Sequence, residues 1–416
     1  MLRRLMANSL FQDTAILVFG TAGGRLILLL AMPAATRLYD PEDFRLLAVF
    51  VALVSTISVA ACLRFEIAIP LAENDDDAAN LLVLALVSVT GMSLGVLAFS
   101  SITPQAFAEW LGVPEIGSYL WLVPVGIFLM ASYSALQFWA TRMRRFGIIS
   151  RTRVGQTATG VMTMLGLGWI GLAPLGLLLG NMLTVGAGGV SLAVRALRQD
   201  RAILSVINWR SMVDTARRFR RYPIYSTPEA LANVTAIQMP ILMIAAMTGD
   251  EAGQLFLVMQ IMAAPMTLLG ASVGQVFASR AQEELRNGTL NRFTVSMMRR
   301  LFLIGLGPMA AAALLGPPLF PVVFGDNWAR AGVIVAWIAP CMLLQLTVSP
   351  VSMGLHVTGH QRAAMALQVV GLALRVGAVA LAASFPVAGP VEAYTVSGAV
   401  FYLVYAITVK WAVRSR

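Results

Sequence analysis

Two arginines stand where a charge is costly. Arg25 and Arg375 lie inside long apolar runs, about eleven and twelve residues in, so a helical rise of about 1.5 Å per residue puts both near the middle of a bilayer. An ionisable group at that depth costs about 2.5–3.5 kcal/mol on insertion scales, which makes each a functional candidate. A guanidinium grips phosphate in a two-pronged fashion, so the chemistry they suggest is attraction of an anionic substrate in a wet cavity. The competing reading is that either one satisfies backbone carbonyls where helices pack. A third concentration is Glu229, Asn233 and Gln238, set among Pro223, Pro228 and Pro240. Few lipid-facing helices tolerate so many polar groups, and prolines open backbone to a cavity, so this stretch is expected to face the interior and line a substrate path. Arg64, Glu66 and Arg142 form a fourth group at the ends of apolar runs, suited to a gate pair or a first phosphate contact, or equally to anchoring at the membrane surface.

Other chemistry finds little support. His356 and His360 have the i, i+4 spacing of two ligands, but no carboxylate stands near them, and Cys62 and Cys341 sit alone in apolar sequence. No metal site or redox pair is expected, and the histidines read as a polar helix end. The chain's one lysine is Lys410, so the lysine-bearing glycine loop of an ATP-driven pump is missing. No catalytic constellation appears. The chain reads as a non-enzyme without a cofactor, and H+ and Na+ remain as coupling ions.

The elements that must position these residues are membrane spans. Hydrophobic residues make up 58% of the 416 and charged residues only 12%, about half the charged share of a soluble domain. Twelve runs reach the length of about 20 residues needed to cross about 30 Å of hydrocarbon: 14–36, 44–63, 79–102, 119–140, 154–171, 174–195, 223–247, 252–276, 300–323, 331–351, 363–384 and 389–411. The first has small residues of the cleavage-site type at its end, but Arg25 in its middle marks it as a span and not a signal peptide. Gly20 with Gly24, and Gly176 with Gly180, have the spacing that lets helices approach closely.

Charge gives the orientation. The net charge of +10 is not that of a nucleic-acid binder, because the arginines stand between apolar runs without stacking aromatics. With the N-terminus inside, 25 of the 30 basic residues fall on the cytoplasmic side, as positive-inside asymmetry requires. Both termini are therefore expected in the cytoplasm. The basic stretch 201–222 falls between two sets of six spans, and Arg217, Arg218, Arg220 and Arg221 suit a surface helix drawn to anionic lipid. The expected division is a bundle at 1–200, a linker at 201–222 and a second bundle at 223–416. The fold class is all-α and polytopic, two six-helix bundles around a central cavity.

The run Pro33-Ala34-Ala35-Thr36-Arg37-Leu38-Tyr39-Asp40-Pro41-Glu42-Asp43-Phe44, followed by Arg64-Phe65-Glu66-Ile67-Ala68-Ile69-Pro70, resembles the bacterial polysaccharide and O-antigen flippases of the multidrug/oligosaccharidyl-lipid/polysaccharide exporter superfamily. Phe138-Trp139 with Arg142 and Phe146, Tyr225-Ser226-Thr227-Pro228, and Pro265 through Gln275-Val276-Phe277 extend the resemblance over most of the chain. It implies alternating access in the inner membrane and a substrate of sugars on undecaprenyl diphosphate. The partners implied are that lipid, membrane lipids, a polysaccharide polymerase and export machinery. Where such flippases usually have glycine after the loop phenylalanine, this chain has Arg45, which puts the local turn in question. The alternatives are a multidrug or peptidoglycan-precursor lipid transporter of the same superfamily, or a membrane polymerase or assembly protein. The longest expected external segment, 103–118, offers only Glu109 and Glu115 for acid/base work.

Overall fold

A computed structural model describes residues 2–204, 207–384 and 389–414. Among these residues the regular elements are all helices. The N-terminal half holds α1 (Leu2–Leu38), α2 (Pro41–Ala61), α3 (Asp75–Ile102), α4 (Pro104–Trp110), α5 (Leu122–Arg142), α6 (Phe146–Trp169), α7 (Leu175–Gly186), α8 (Gly188–Gln199), α9 (Arg201–Leu204) and α10 (Trp209–Arg218). There follow α11 (Thr227–Thr248), α12 (Glu251–Arg286), α13 (Leu290–Phe324), α14 (Ala329–Val348), α15 (Met353–Val357), α16 (Gln361–Ser384) and α17 (Pro390–Arg414).

With α7 and α8 taken as one rod, twelve long helical stretches correspond to the twelve expected spans. Ten are long and apolar enough to cross a membrane. α6 falls short of that test because it carries Arg151, Arg153, Gln156 and four threonines; it can afford them because it packs along α1 on one side and α7 on another. In α12 the described apolar part is Glu251–Ala263. Several helices outrun the expected spans: α12 continues to Arg286 and α13 begins at Leu290, since a helix does not stop where the hydrocarbon does. Large apolar side chains such as Phe19, Leu30, Trp169, Leu314 and Val322 stand exposed, as a lipid solvent permits.

The chain divides into two compact units, residues 1–39 with 46–238, and residues 40–45 with 239–416. The first unit therefore takes in the stretch 201–222 expected as a linker and runs on to 238. The local reasons are a π turn at Tyr222–Ser226 that lies against the 3-10 segment Phe65–Leu71 and a bond from Gln238 Nε2 to Ser55 Oγ, 2.9 Å.

Small residues set the packing of the first unit. A Cβ on Gly20 or Gly24 would press on Ser150 or Thr157 of α6, so the glycine pair of α1 is a close-approach seam. Gly168 and Gly176 leave room for Tyr39, whose hydroxyl donates to the Met164 carbonyl at 2.6 Å. In the second unit the core gathers Phe277, Met298, Val351, Leu355, Val409 and Val413, with Phe277 stacked on Phe293. At the start of α2, Arg45 replaces the expected glycine without a turn to disturb, because the helix has already begun at Pro41. Its Nε donates to the Ala245 carbonyl at 2.8 Å and its Nη1 to Glu42 at 2.5 Å.

Candidate functional site

In the first unit α1 carries Arg25, half-buried, and no hydrogen bond or ion pair holds the guanidinium among the described residues. One turn earlier Thr21 accepts a hydrogen bond from Arg153 of α6. Among the described residues no carboxylate pairs with Arg25. That arrangement leaves positive charge available to an anion.

Arg375, in the second unit, is placed differently. Its guanidinium lies over the rings of Phe401 and Tyr402, 4.7 Å and 5.5 Å from their centroids. The ring of Phe401 also fills the space beside Gly371, one turn away on α16. Two aromatic faces offset part of the cost of burying the cation, worth about 0.5–2 kcal/mol each depending on desolvation.

The polar residues of α11 separate. Glu229 and Asn233, four residues apart on one helical face, are both exposed. Gln238 lies on another face and is committed to Ser55 of α2. The structure thus keeps Glu229 with Asn233 and takes Gln238 away as a packing contact.

Arg64, Glu66 and Arg142 come together around the segment Phe65–Leu71, but in two separate contacts. Leu63 and Arg64 are left-handed, φ 51° and 59°, a conformation unfavourable for both side chains that reverses the chain after α2. Arg64 reaches Glu66 at 3.3 Å, and Glu66 is buried, with Oε2 lacking a partner among the described residues. Burial pushes the Glu66 carboxyl above its usual range, opposed by its own backbone N–H and by Arg64. Arg142 closes the segment from the other side. It donates to the Ile69 and Ala72 carbonyls at 3.1 and 2.7 Å and to Asp75 at 3.0 and 2.8 Å. With four N–H groups used, Arg142 is a clamp on the chain.

Sequence reasoning missed Asp200. It is buried, binds Arg145 at 2.6 and 2.8 Å, and accepts the indole N–H of Trp139 at 2.9 Å. Its signal was an acid directly after the basic end of α8. The basic surface helix also differs from expectation: α10 docks on α3, with Arg218 on Asp77 at 2.6 Å and Asn80 on Ser211 at 2.5 Å. Arg218 thus meets Asp77, while Arg217, Arg220 and Arg221 stand exposed. His360 bonds Thr358 through Nδ1 at 2.9 Å and meets Trp411 edge-on, and no cluster of three metal-ligating side chains occurs among the described residues.

With the fold and these side chains in place, comparison with known proteins decides the family. The polysaccharide biosynthesis protein family matches residues 35–332. This chain belongs to that family. A search of curated proteins found no match. Among solved structures, the lipid II flippase MurJ in an inward closed conformation has a TM-score of 0.71 at 12% identity, covering 95% of this chain and 87% of that one. An inward-facing multidrug resistance MATE family transporter of the MOP superfamily has a TM-score of 0.64 at 14% identity, covering 96% and 98%. A MOP superfamily transporter from Pyrococcus furiosus, described as having a binding pocket of reversed polarity, has a TM-score of 0.58 at 14% identity, covering 97% and 96%. This polysaccharide biosynthesis protein thus shares the twelve-helix fold of that superfamily, as the resemblance in its motifs implies.

Proposed function

We propose that this polysaccharide biosynthesis protein is a flippase that moves an undecaprenyl-diphosphate-linked oligosaccharide across the bacterial inner membrane by alternating access, supplying surface or secreted polysaccharide. The observation that carries the reading is Arg25: a guanidinium half-buried in the first long helix of a polysaccharide biosynthesis protein, with no carboxylate paired to it among the described residues. A diphosphate and its sugars cannot cross hydrocarbon unaided, whereas the polyprenyl chain is at home there. A cationic path for the headgroup is therefore what such a protein must provide. Glu229 and Asn233 supply polar groups suited to sugar hydroxyls, and Arg375 adds a cation whose charge the aromatic rings only partly offset. Transport in this reading makes and breaks no covalent bond. It proceeds down the gradient set by substrate removal or is coupled to H+ or Na+, and it implies polymerase and export machinery as partners.

Proteoliposomes test it. With the purified chain, a fluorescent undecaprenyl-diphosphate oligosaccharide placed in one leaflet should become accessible from the other, and Arg25→Ala should slow this while leaving the chain inserted. Accessibility equal to that of empty liposomes contradicts the reading.

A further inference from the structure

Beside the joint of α7 and α8 the first unit carries a groove that the proposed path does not use. A cavity of about 280 Å³ lies between α6 and α8, lined by Arg151, Thr152, Gln156, Ser191 and Arg195 among others. It shares Ala187, Ser191 and Arg195 with a second hollow of about 610 Å³ that continues along α8 to Arg198. Together they fall in the size range of small-ligand sites.

Three features give this groove a chemistry. First, Arg151, Arg195 and Arg198 have no ion pair among the described residues, although Arg142, Arg145 and Arg218 of the same unit are each matched to an aspartate. The groove is cationic without an internal anion. Second, its floor is built and polar. Gln156, only 9% exposed, spends its side-chain oxygen on the Gly188 N–H at 3.1 Å, and its amide N–H groups have no acceptor among the described residues. Third, Val190, Val194 and Leu197 stand exposed along α8. Arg151 is about 8 Å along α6 from Phe146, and Arg195 about 6 Å from the end of α8, distances that place both at headgroup depth in a spanning helix.

Positive charge, an amide donor in the floor and an apolar flank describe one ligand. We propose that this groove holds the phosphate head of a resident anionic phospholipid, with Arg151 and Arg195 on the phosphate oxygens, Gln156 donating from the floor and the acyl chains along Val190, Val194 and Leu197. Bare inorganic phosphate would leave the flank unused, and a soluble nucleotide would leave it wet. The site is independent of whether the chain transports anything.

Gly155 provides the decisive variant. It is part of the cavity lining, and a Cβ added there meets nothing within 4 Å, so a large side chain fills the groove while every arginine stays. Native mass spectrometry of the full chain in detergent, titrated with phosphatidylglycerol, phosphatidylcholine and sugar-free undecaprenyl diphosphate, reads the site. Phosphatidylglycerol should leave a persistent one-lipid adduct that phosphatidylcholine does not. Arg151→Ala with Arg195→Ala should weaken it about thirtyfold, from about 1 kcal/mol per arginine. Gly155→Trp and the milder Gly155→Leu should also reduce it, while Arg217→Ala with Arg220→Ala, on the exposed side of the α10 region, should not. An unchanged adduct in both Gly155 variants would make the binding a diffuse effect of surface charge and overturn the site. Preferential retention of undecaprenyl diphosphate, displacing phosphatidylglycerol, would overturn the resident-phospholipid assignment.

Discussion

Arg25 and Arg375 carry the same signal in the sequence and have different surroundings in the fold. Each is a lone cation in the middle of an apolar helix. In the first unit Arg25 has Gly24 beside it on the seam with α6, and no aromatic ring or acid meets it among the described residues. In the second unit Arg375 is roofed by Phe401 and Tyr402. Insertion cost alone therefore does not reveal a ligand site. What distinguishes the two is whether neighbours already meet the charge: aromatic rings do so for Arg375, and no ion pair does so for Arg25 among the described residues.

The comparison can be broken most directly by transport. Arg25→Ala should lower it on the order of tenfold to a hundredfold, the loss expected for one or two charge-assisted hydrogen bonds, with unchanged insertion. Lysine should rescue it only in part, because an ammonium lacks the fork. An Arg375→Ala variant as impaired as Arg25→Ala, with no loss of stability, would erase the distinction.

The next effect is on stability. Among arginines satisfied by the protein, Arg145 is the most deeply matched, so Asp200→Ala should destabilise by about 3 kcal/mol, the scale for stripping one partner from a buried pair. Loss of monodispersity on heating in detergent measures this. The roof over Arg375 is worth less. Phe401→Leu should cost about 1–2 kcal/mol, combining one cation–π contact with lost packing. If Phe401→Leu is as stable as the parent, the aromatic rings do not hold Arg375 and it returns to the same standing as Arg25.

Glu66 sharpens the contrast at the smallest scale. Its carboxyl is raised by burial, so in the folded chain it holds its proton to higher pH than in the unfolded chain. Its contribution to stability is full below the ordinary carboxylate value of 4.5 and declines as pH rises through the raised one. Glu66→Gln should flatten that part of the stability-versus-pH curve while leaving the alkaline limb unchanged. An identical slope in parent and variant would show that Glu66 titrates as an ordinary carboxylate.

The helices were legible because hydrocarbon imposes a length, and apolar runs bounded by proline, glycine and charge mark it. The glycine seams were legible for a related reason: a four-residue spacing of small side chains has few uses other than close approach. Side-chain partners were much less so. Asp200 lies 55 residues from Arg145 and 61 from Trp139, and nothing local in sequence joins them. Gln238 read as a path residue together with the polar Glu229 and Asn233, and its bond to Ser55, 183 residues away, has no local signal. Arg142 read as a gate, phosphate-contact or anchoring residue because its carbonyl partners belong to backbone, which a sequence does not advertise. The unpaired groove of Arg151, Arg195 and Arg198 was read only as positive-inside charge, since spacing cannot tell a matched arginine from an unmatched one.

We propose that this polysaccharide biosynthesis protein carries a lipid-linked sugar between leaflets by way of Arg25. Leaflet-resolved labelling of the undecaprenyl-diphosphate sugar in intact cells tests it, in a deletion strain complemented by parent or Arg25→Ala. The prediction is accumulation of intact lipid-linked sugar on the cytoplasmic leaflet in the deletion strain, relief by the parent chain and little relief by Arg25→Ala. Normal periplasmic exposure of that sugar in the deletion strain, with no other transporter replacing the missing one, would contradict it.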